Sequence, residues 1–185
     1  MKTILSSFRL ALVLGGAKSG KSGYALSLAA GFPQPRLFVA TCEPRDAEMQ
    51  ARVDNHQRER GPDWETRELC LDLPDFLAAP PPGYGVVLVD CLTMWLTNLL
   101  TREGANRAGI QAECARLTKT LAAARTPTIL VSNEVGWGIV PENALARAFR
   151  DLAGMLHQQV AGIADLVVLV AAGLPLVLKG VSGER

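Results

Sequence analysis

A chain of 185 residues, 49% of them hydrophobic, is long enough to fold as one domain around a substantial core. Its formal net charge of +1 excludes a global field that would gather nucleic acid or an anionic membrane, so any anion must be held by local groups. The four cysteines (Cys42, Cys70, Cys91 and Cys114) stand far apart with no CxxC pair, which speaks against a disulfide frame or a zinc site and for thiols in a reducing compartment.

The first twenty residues, MKTILSSFRLALVLGGAKSG, loosely resemble a secretory leader. Arg9 interrupts the apolar run, however, and cleavage there would cut into a folded element. No apolar stretch reaches the length of about 18 residues that a membrane span requires, so the expectation is a cytoplasmic protein.

Taken in order, the apolar runs LALVL (10–14), RLFVAT (36–41), VVLVD (86–90), TILVS (128–132) and LVVLVA (166–171) are unbroken rather than alternating, the pattern of strands buried on both faces of a parallel sheet. Helical spacing predicts helices near 21–30, 45–60, 92–100, 107–124 and 142–163. In the last of these Leu145, Ala148, Phe149, Leu152, Leu156 and Val160 form the apolar face and Pro141 stands at the start. LPLVLK (174–179) reads as an edge strand, and AAPPPGYG (78–85) as a turn. The alternation predicts an α/β fold, an open and mostly parallel sheet flanked by helices, with no internal domain boundary.

The sharpest motif is GGAKSGKS, residues 15–22, which matches GxxxxGK[ST] between a strand and a helix. Gly15, Gly16, Ala17, Lys18, Ser19 and Gly20 form a curl whose backbone N–H groups can surround phosphate oxygens. Lys21 can reach the terminal phosphates, the Ser22 hydroxyl can ligate Mg²⁺, and the following helix adds its positive end. Asp90, closing the strand VVLVD, suits the magnesium shell; capping the helix that begins at Leu92 is the compatible structural reading. These motifs imply a nucleoside triphosphate with Mg²⁺ and leave its use open.

AEMQARVDNHQRERGPDW (47–64) has the charge pattern of a solvated helix yet carries His56. On a helix, Met49, Val53, His56 and Arg60 share a face, with Arg52 beside it. One reading packs His56 at the core rim with a backbone partner. The other sets it between Arg52 and Arg60, whose charge disfavours protonation, so that a neutral imidazole attacks phosphorus. His157, late in an amphipathic helix, reads as a surface or rim residue.

Together, LVLGGAKSGKS, FVATCEPRDAEMQARVDNHQRERGPDWETRE, VLVDCLTMWLTNLL, ILVSNEVGWGIVPENALARAFRDLAGMLHQQVA and VVLVAAGLPLVLK resemble the bifunctional adenosylcobinamide kinase / adenosylcobinamide-phosphate guanylyltransferase family, in order from about residue 10 to 180. The resemblance implies a P-loop NTPase with a RecA-like sheet that assembles as trimers. It implies that a nucleoside triphosphate, ATP or GTP, phosphorylates the aminopropanol hydroxyl of adenosylcobinamide. GTP then guanylylates a histidine, and the substrate phosphate takes GMP to give adenosylcobinamide-GDP. The family's guanylylated histidine, in R-[IV]-x-x-H before R-x-x-x-W, corresponds to His56, with Arg52, Val53, Arg60 and Trp64 around it. Nucleotide contacts carry over to Gly15 through Ser22, to Ala40, Thr41 and Cys42, to Gln57, Arg58, Glu59 and Arg60, and to Glu68 and Asp90. Catalysis falls to His56 and Lys21, and metal binding to Ser22 and Asp90.

The chain departs from the family at His157, where the pattern usually reads NQ. The loop SNEVGWGIVPEN (132–143) is intact and is expected to touch substrate or a neighbouring subunit. Two other classes fit parts of the sequence: a monofunctional P-loop kinase with a structural His56, and a nucleotide switch, for which the NKxD guanine motif is missing.

Overall fold

The computed structural model describes residues 8–42 and 63–180. The expected helix 45–60, with His56, Gln57, Arg58, Glu59 and Arg60, lies outside the described residues.

Seven strands form one sheet in the order β3-β2-β4-β5-β1-β6-β7. They are β1 (Leu10–Gly15), β2 (Arg36–Ala40), β3 (Trp64–Glu68), β4 (Val87–Asp90), β5 (Thr128–Asn133), β6 (Leu166–Ala171) and β7 (Leu174–Lys179). All neighbours pair in parallel except β6 and β7, which form an antiparallel hairpin. Among the described residues five helices connect them: α1 (Lys21–Ala29), α2 (Leu73–Ala78), α3 (Leu92–Thr101), α4 (Arg107–Ala123) and α5 (Ala144–Ile163).

The unbroken apolar runs follow from two-sided burial. Along β1, Leu10, Leu12 and Leu14 face one core with Leu73, Trp95, Leu117 and Leu156 of the α2–α5 layer. Ala11 and Val13 face the other, with Ala25 and Leu28 of α1. Small residues suit that second face, because alanine at Ala11, Ala25 and Ala29 lets α1 lie close to the sheet. The entrance to β1 is tied to that of β6, where the Asp165 carboxylate accepts the Arg9 and Leu10 amides at 2.8 and 3.0 Å.

Two elements escape the sequence reading. Strand β3, WETRE, is mostly polar because it lies at the sheet edge, where only Trp64 and Thr66 are half-buried; the Trp64 ring meets Phe38 edge-on at 6.2 Å. Helix α2 is a short segment anchored by Leu73, Pro74 and Leu77. The start of α5 also differs from expectation. Asn143 caps it by accepting the Ala146 amide at 3.0 Å, and Leu145 is exposed. The buried stripe begins at Leu152 and includes Ala153, Leu156, His157 and Val160, because the first turns of the helix extend past the core.

Leu130, in the central strand and wholly inaccessible to solvent, has no route for relaxation on either side. Leu130→Ala is expected to cost about 2–5 kcal/mol, read as a lower urea midpoint with an unchanged m-value.

Candidate active site

The C-terminal ends of β1, β4 and β5 lie side by side, with β5 in the middle. The registers Gly15↔Asn133 and Asp90↔Val131 bring the phosphate loop, Asp90 and the residues just after β5 to one rim of the sheet.

The loop from Gly15 to Gly20 is braced through its carbonyls. Gly15 O accepts the Glu134 amide at 3.0 Å and Ser19 O accepts the Gly173 amide at 2.8 Å. Gly16 O accepts the Ser19 amide at 3.3 Å, and also the Lys21 ammonium at 3.2 Å. Gly20 O starts α1 by accepting the Tyr24 amide at 3.0 Å. With these four carbonyls held by the protein, the amides of the same curl are the donors an anion would meet.

Two glycines are required sterically. A Cβ on Gly15 would stand 2.4 Å from Ser19 Oγ and 2.6 Å from the Val170 carbonyl. Gly20 has φ 93°, in the left-handed region, and turns the chain into α1. Lys18, at φ 53°, shares that handedness without being glycine. The Ser19 hydroxyl is buried and has no hydrogen-bond partner, and a phosphate oxygen would supply one.

Lys21 is buried at the first turn of α1, and Ser22 follows it, half-buried. Asp90 ends β4 half-buried. Cys91, not Asp90, is the N-cap residue of α3, so the capping reading of Asp90 falls away. Burial, reinforced by the charge of Asp90, pushes the Cys91 thiol up to about 11, while hydrogen bonds with Thr93 and the Met94 backbone, and then the charge of Lys21, pull it back. Ammonium and carboxylate therefore both act on one buried sulfur. A hydroxyl at Ser22 and a carboxylate at Asp90 form the hard oxygen donor set that suits Mg²⁺.

Thr41 is committed to the protein. Its amide donates to Asp90 O, its hydroxyl bonds Cys91 O at 2.7 Å and the Cys91 amide at 2.8 Å, and its carbonyl accepts from Asn98 at 2.8 Å. The turn at Ala40 and Cys42 thereby stays fixed against β4. Glu68 ends the outermost strand, paired with Ala40. Thr93 joins the same rim, its hydroxyl 3.0 Å from Cys91 Sγ and accepting the Asn133 amide group at 3.0 Å.

His157 corrects the surface reading. It is buried under β5, its Nε2 2.7 Å from the Ser132 hydroxyl and its Nδ1 3.7 Å from a Glu134 carboxylate oxygen. Burial lowers its pKa, with Glu134 pulling the other way. The signal that could have found it was its spacing from Ala153, Leu156 and Val160, which places it on the core face of α5. Beyond Glu134 the loop is strapped to α5. Arg147 donates to the Pro141 and Glu142 carbonyls, and Arg150 to those of Gly138 and Ile139. Trp137, Ile139 and Val140 are left exposed.

A mostly parallel sheet with a phosphate loop between β1 and α1, and an acidic residue closing a strand two places from β1, defines a P-loop NTPase. Solved structures agree on the fold. The flagellar accessory protein FlaH from Methanocaldococcus jannaschii aligns with TM-score 0.52 at 14% identity, covering 93% of this chain and 78% of that one. An ATPase from a bacterial type III secretion system aligns with TM-score 0.52 at 12% identity, covering 90% of this chain and 51% of its own. Sequence comparison goes further: residues 11–178 match CobU, the cobinamide kinase / cobinamide phosphate guanyltransferase family, and the chain belongs to that family. Its relatives include the bifunctional adenosylcobalamin biosynthesis proteins CobP of Pseudomonas aeruginosa and CobU of Salmonella typhimurium. The first is 41% identical, covering 91% of this chain and 96% of its own. The second is 39% identical, covering 91% and 98%.

The burial that raises the Cys91 thiol keeps it uncharged near neutrality, and the thiolate is the reactive form. At pH 8 the native protein is expected to leave Cys91 unmodified by iodoacetamide while Cys42 and Cys70, both half-buried, react first. Peptide mass spectrometry after timed quenching checks the order.

Proposed function

We propose that this chain carries out both reactions of its family in a single domain: phosphorylation of adenosylcobinamide, then guanylylation of the product to adenosylcobinamide-GDP. The braced phosphate loop carries the reading, because a buried lysine, an orphaned serine hydroxyl and committed carbonyls suit a triphosphate and little else. The family match over residues 11–178 supplies the substrate.

In the first reaction Gly15 to Ser22 hold the triphosphate of ATP or GTP, and Lys21 neutralises its terminal phosphates. Ser22 and Asp90 would hold Mg²⁺, which when bound supplies further charge neutralisation for phosphoryl transfer. The acceptor oxygen bonds to the γ-phosphorus as the bond to the diphosphate oxygen breaks. In the second, the neutral imidazole of His56 attacks the α-phosphorus of GTP; a P–N bond forms and pyrophosphate leaves. The phosphate oxygen of the substrate then attacks the same phosphorus, the P–N bond breaks and the imidazole is regenerated. Arg52 and Arg60 favour the uncharged ring. Ala40, Cys42, Gln57, Arg58, Glu59 and Glu68 complete the nucleotide contacts, with Thr41 contributing by fixing the turn.

The working assembly is a homotrimer in the cytoplasm. Exposed apolar side chains on β7 (Leu174, Leu176 and Leu178) and on the loop after β5 (Trp137 and Ile139) support an association that covers them. Among the described residues no helix is long and apolar enough to cross a membrane.

With α-labelled GTP and Mg²⁺, the protein is expected to retain acid-labile, base-stable label. His56→Ala should abolish that label and guanylyl transfer while phosphorylation of adenosylcobinamide survives. A folded His56→Ala protein that loses both activities alike would overturn the assignment, and a wild-type protein that phosphorylates without ever taking label would be a monofunctional kinase. Lys21→Ala should cripple both reactions by about 100-fold or more; unchanged GTP turnover in that variant would remove the loop from the mechanism.

A further inference from the structure

Among the described residues, three carboxylates stand at the C-terminal ends of strands: Glu68 closing the outermost β3, Asp90 closing β4, and Glu134 directly after β5. Only Glu134 lies between the phosphate loop and Asp90. Its amide is bonded to Gly15 O, so its backbone abuts the first residue of the loop. Its side chain is 21% exposed and is held on two sides. Oε1 accepts the Gly136 amide at 2.7 Å, and Oε2 faces His157 Nδ1 at 3.7 Å.

The tautomer of His157 follows from its neighbours. Burial keeps the ring neutral, so one nitrogen carries hydrogen and the other accepts. A carboxylate oxygen offers only acceptors, which places the hydrogen on Nδ1; Nε2 then accepts the Ser132 hydroxyl proton at 2.7 Å. The order Ser132–His157–Glu134 has the composition of a hydrolytic triad, but Ser132 is 0% exposed within β5, where no substrate carbonyl reaches it. The Ser132–His157 hydrogen bond stays inside the fold, and the 3.7 Å contact from Nδ1 leads to Glu134, the one member of the three whose side chain is appreciably exposed.

We propose that Glu134 accepts the proton of the acceptor hydroxyl in phosphoryl transfer, and that His157, anchored by Ser132, is the positioning residue that fixes the carboxylate. This rests on the phosphate loop as the nucleotide site. The hydroxyl O–H bond breaks toward Glu134 as the oxygen bonds to the γ-phosphorus and the nucleoside diphosphate leaves; the carboxyl then passes the proton to water. Asp90 is unsuited to the same task, since a carboxylate in the magnesium shell has its lone pairs engaged by metal.

The experiment measures two reactions separately on the full-length enzyme: phosphorylation of adenosylcobinamide, and guanylylation of adenosylcobinamide phosphate supplied ready-made. Glu134→Gln is expected to lower kcat for phosphorylation by about 100-fold or more, with KM for nucleotide within twofold and guanylylation unchanged. His157→Leu should lower the same kcat by about tenfold. His157→Asn, whose amide nitrogen can occupy the place of Nδ1, should recover most of it, which a loss of packing alone would not allow. The proposal is overturned if Glu134→Gln keeps wild-type phosphorylation, if it loses both reactions alike, or if His157→Leu matches the wild type. Failure of the underlying nucleotide site would show differently, as a Lys21→Ala variant with both reactions intact.

Discussion

The site depends on where the phosphate loop's carbonyls go. A tight curl of backbone has as many acceptors as donors, and an anion is repelled by the acceptors. Here Gly15 O is taken from one side by the amide that follows β5, and Ser19 O from the other by the turn of the β6–β7 hairpin. Gly16 O is shared by Ser19 and Lys21 within the loop. The curl is thus held between two sheet neighbours of β1, and the polarity of the cradle follows from the strand order. A loop of the same composition without those neighbours would have no reason to keep its amides inward.

The same strand order accounts for the rest of the rim. Parallel strands deliver their ends to one side of the sheet, so Asp90, Asn133 and Glu134 meet the phosphate loop although they are far apart in sequence. Behind them stands a buried polar layer. Thr41 couples β2 to β4, Thr93 couples α3 to β5, and His157 couples α5 to the end of β5. These contacts have the satisfied character expected where a precise surface must be held over an apolar core.

Much of this was legible in the sequence. Apolar runs in RLFVAT and TILVS give buried parallel strands because two-sided burial leaves no room for alternation. GGAKSGKS gives the loop because two of its glycines, Gly15 and Gly20, are forced by close approach and by left-handed backbone that any such curl shares. WETRE was opaque for the opposite reason: an edge strand needs only Trp64 and Thr66 to touch the core, and the rest of its composition is that of a loop. The core-facing position of His157 was readable from its helical spacing, but its meeting with Ser132 was not, because that depends on how α5 lies across β5. Asn133 and Glu134 were legible as polar residues at the strand's end suited to contact with substrate or a neighbouring subunit, but the placement of the Glu134 carboxylate against Gly136 and His157 was not. His56 belongs to the part of the reading that rests on the family.

The hairpin that ends in β7 has a temporal consequence. Its turn supplies the amide on Ser19 O, so a strut for a cradle formed by residues 15–22 comes from residue 173. A ribosome makes the cradle first and this strut more than a hundred and fifty residues later. Until residue 173 has been made, the nascent chain's anion pocket lacks this support, and its grip on triphosphate is completed only when the β6–β7 hairpin closes.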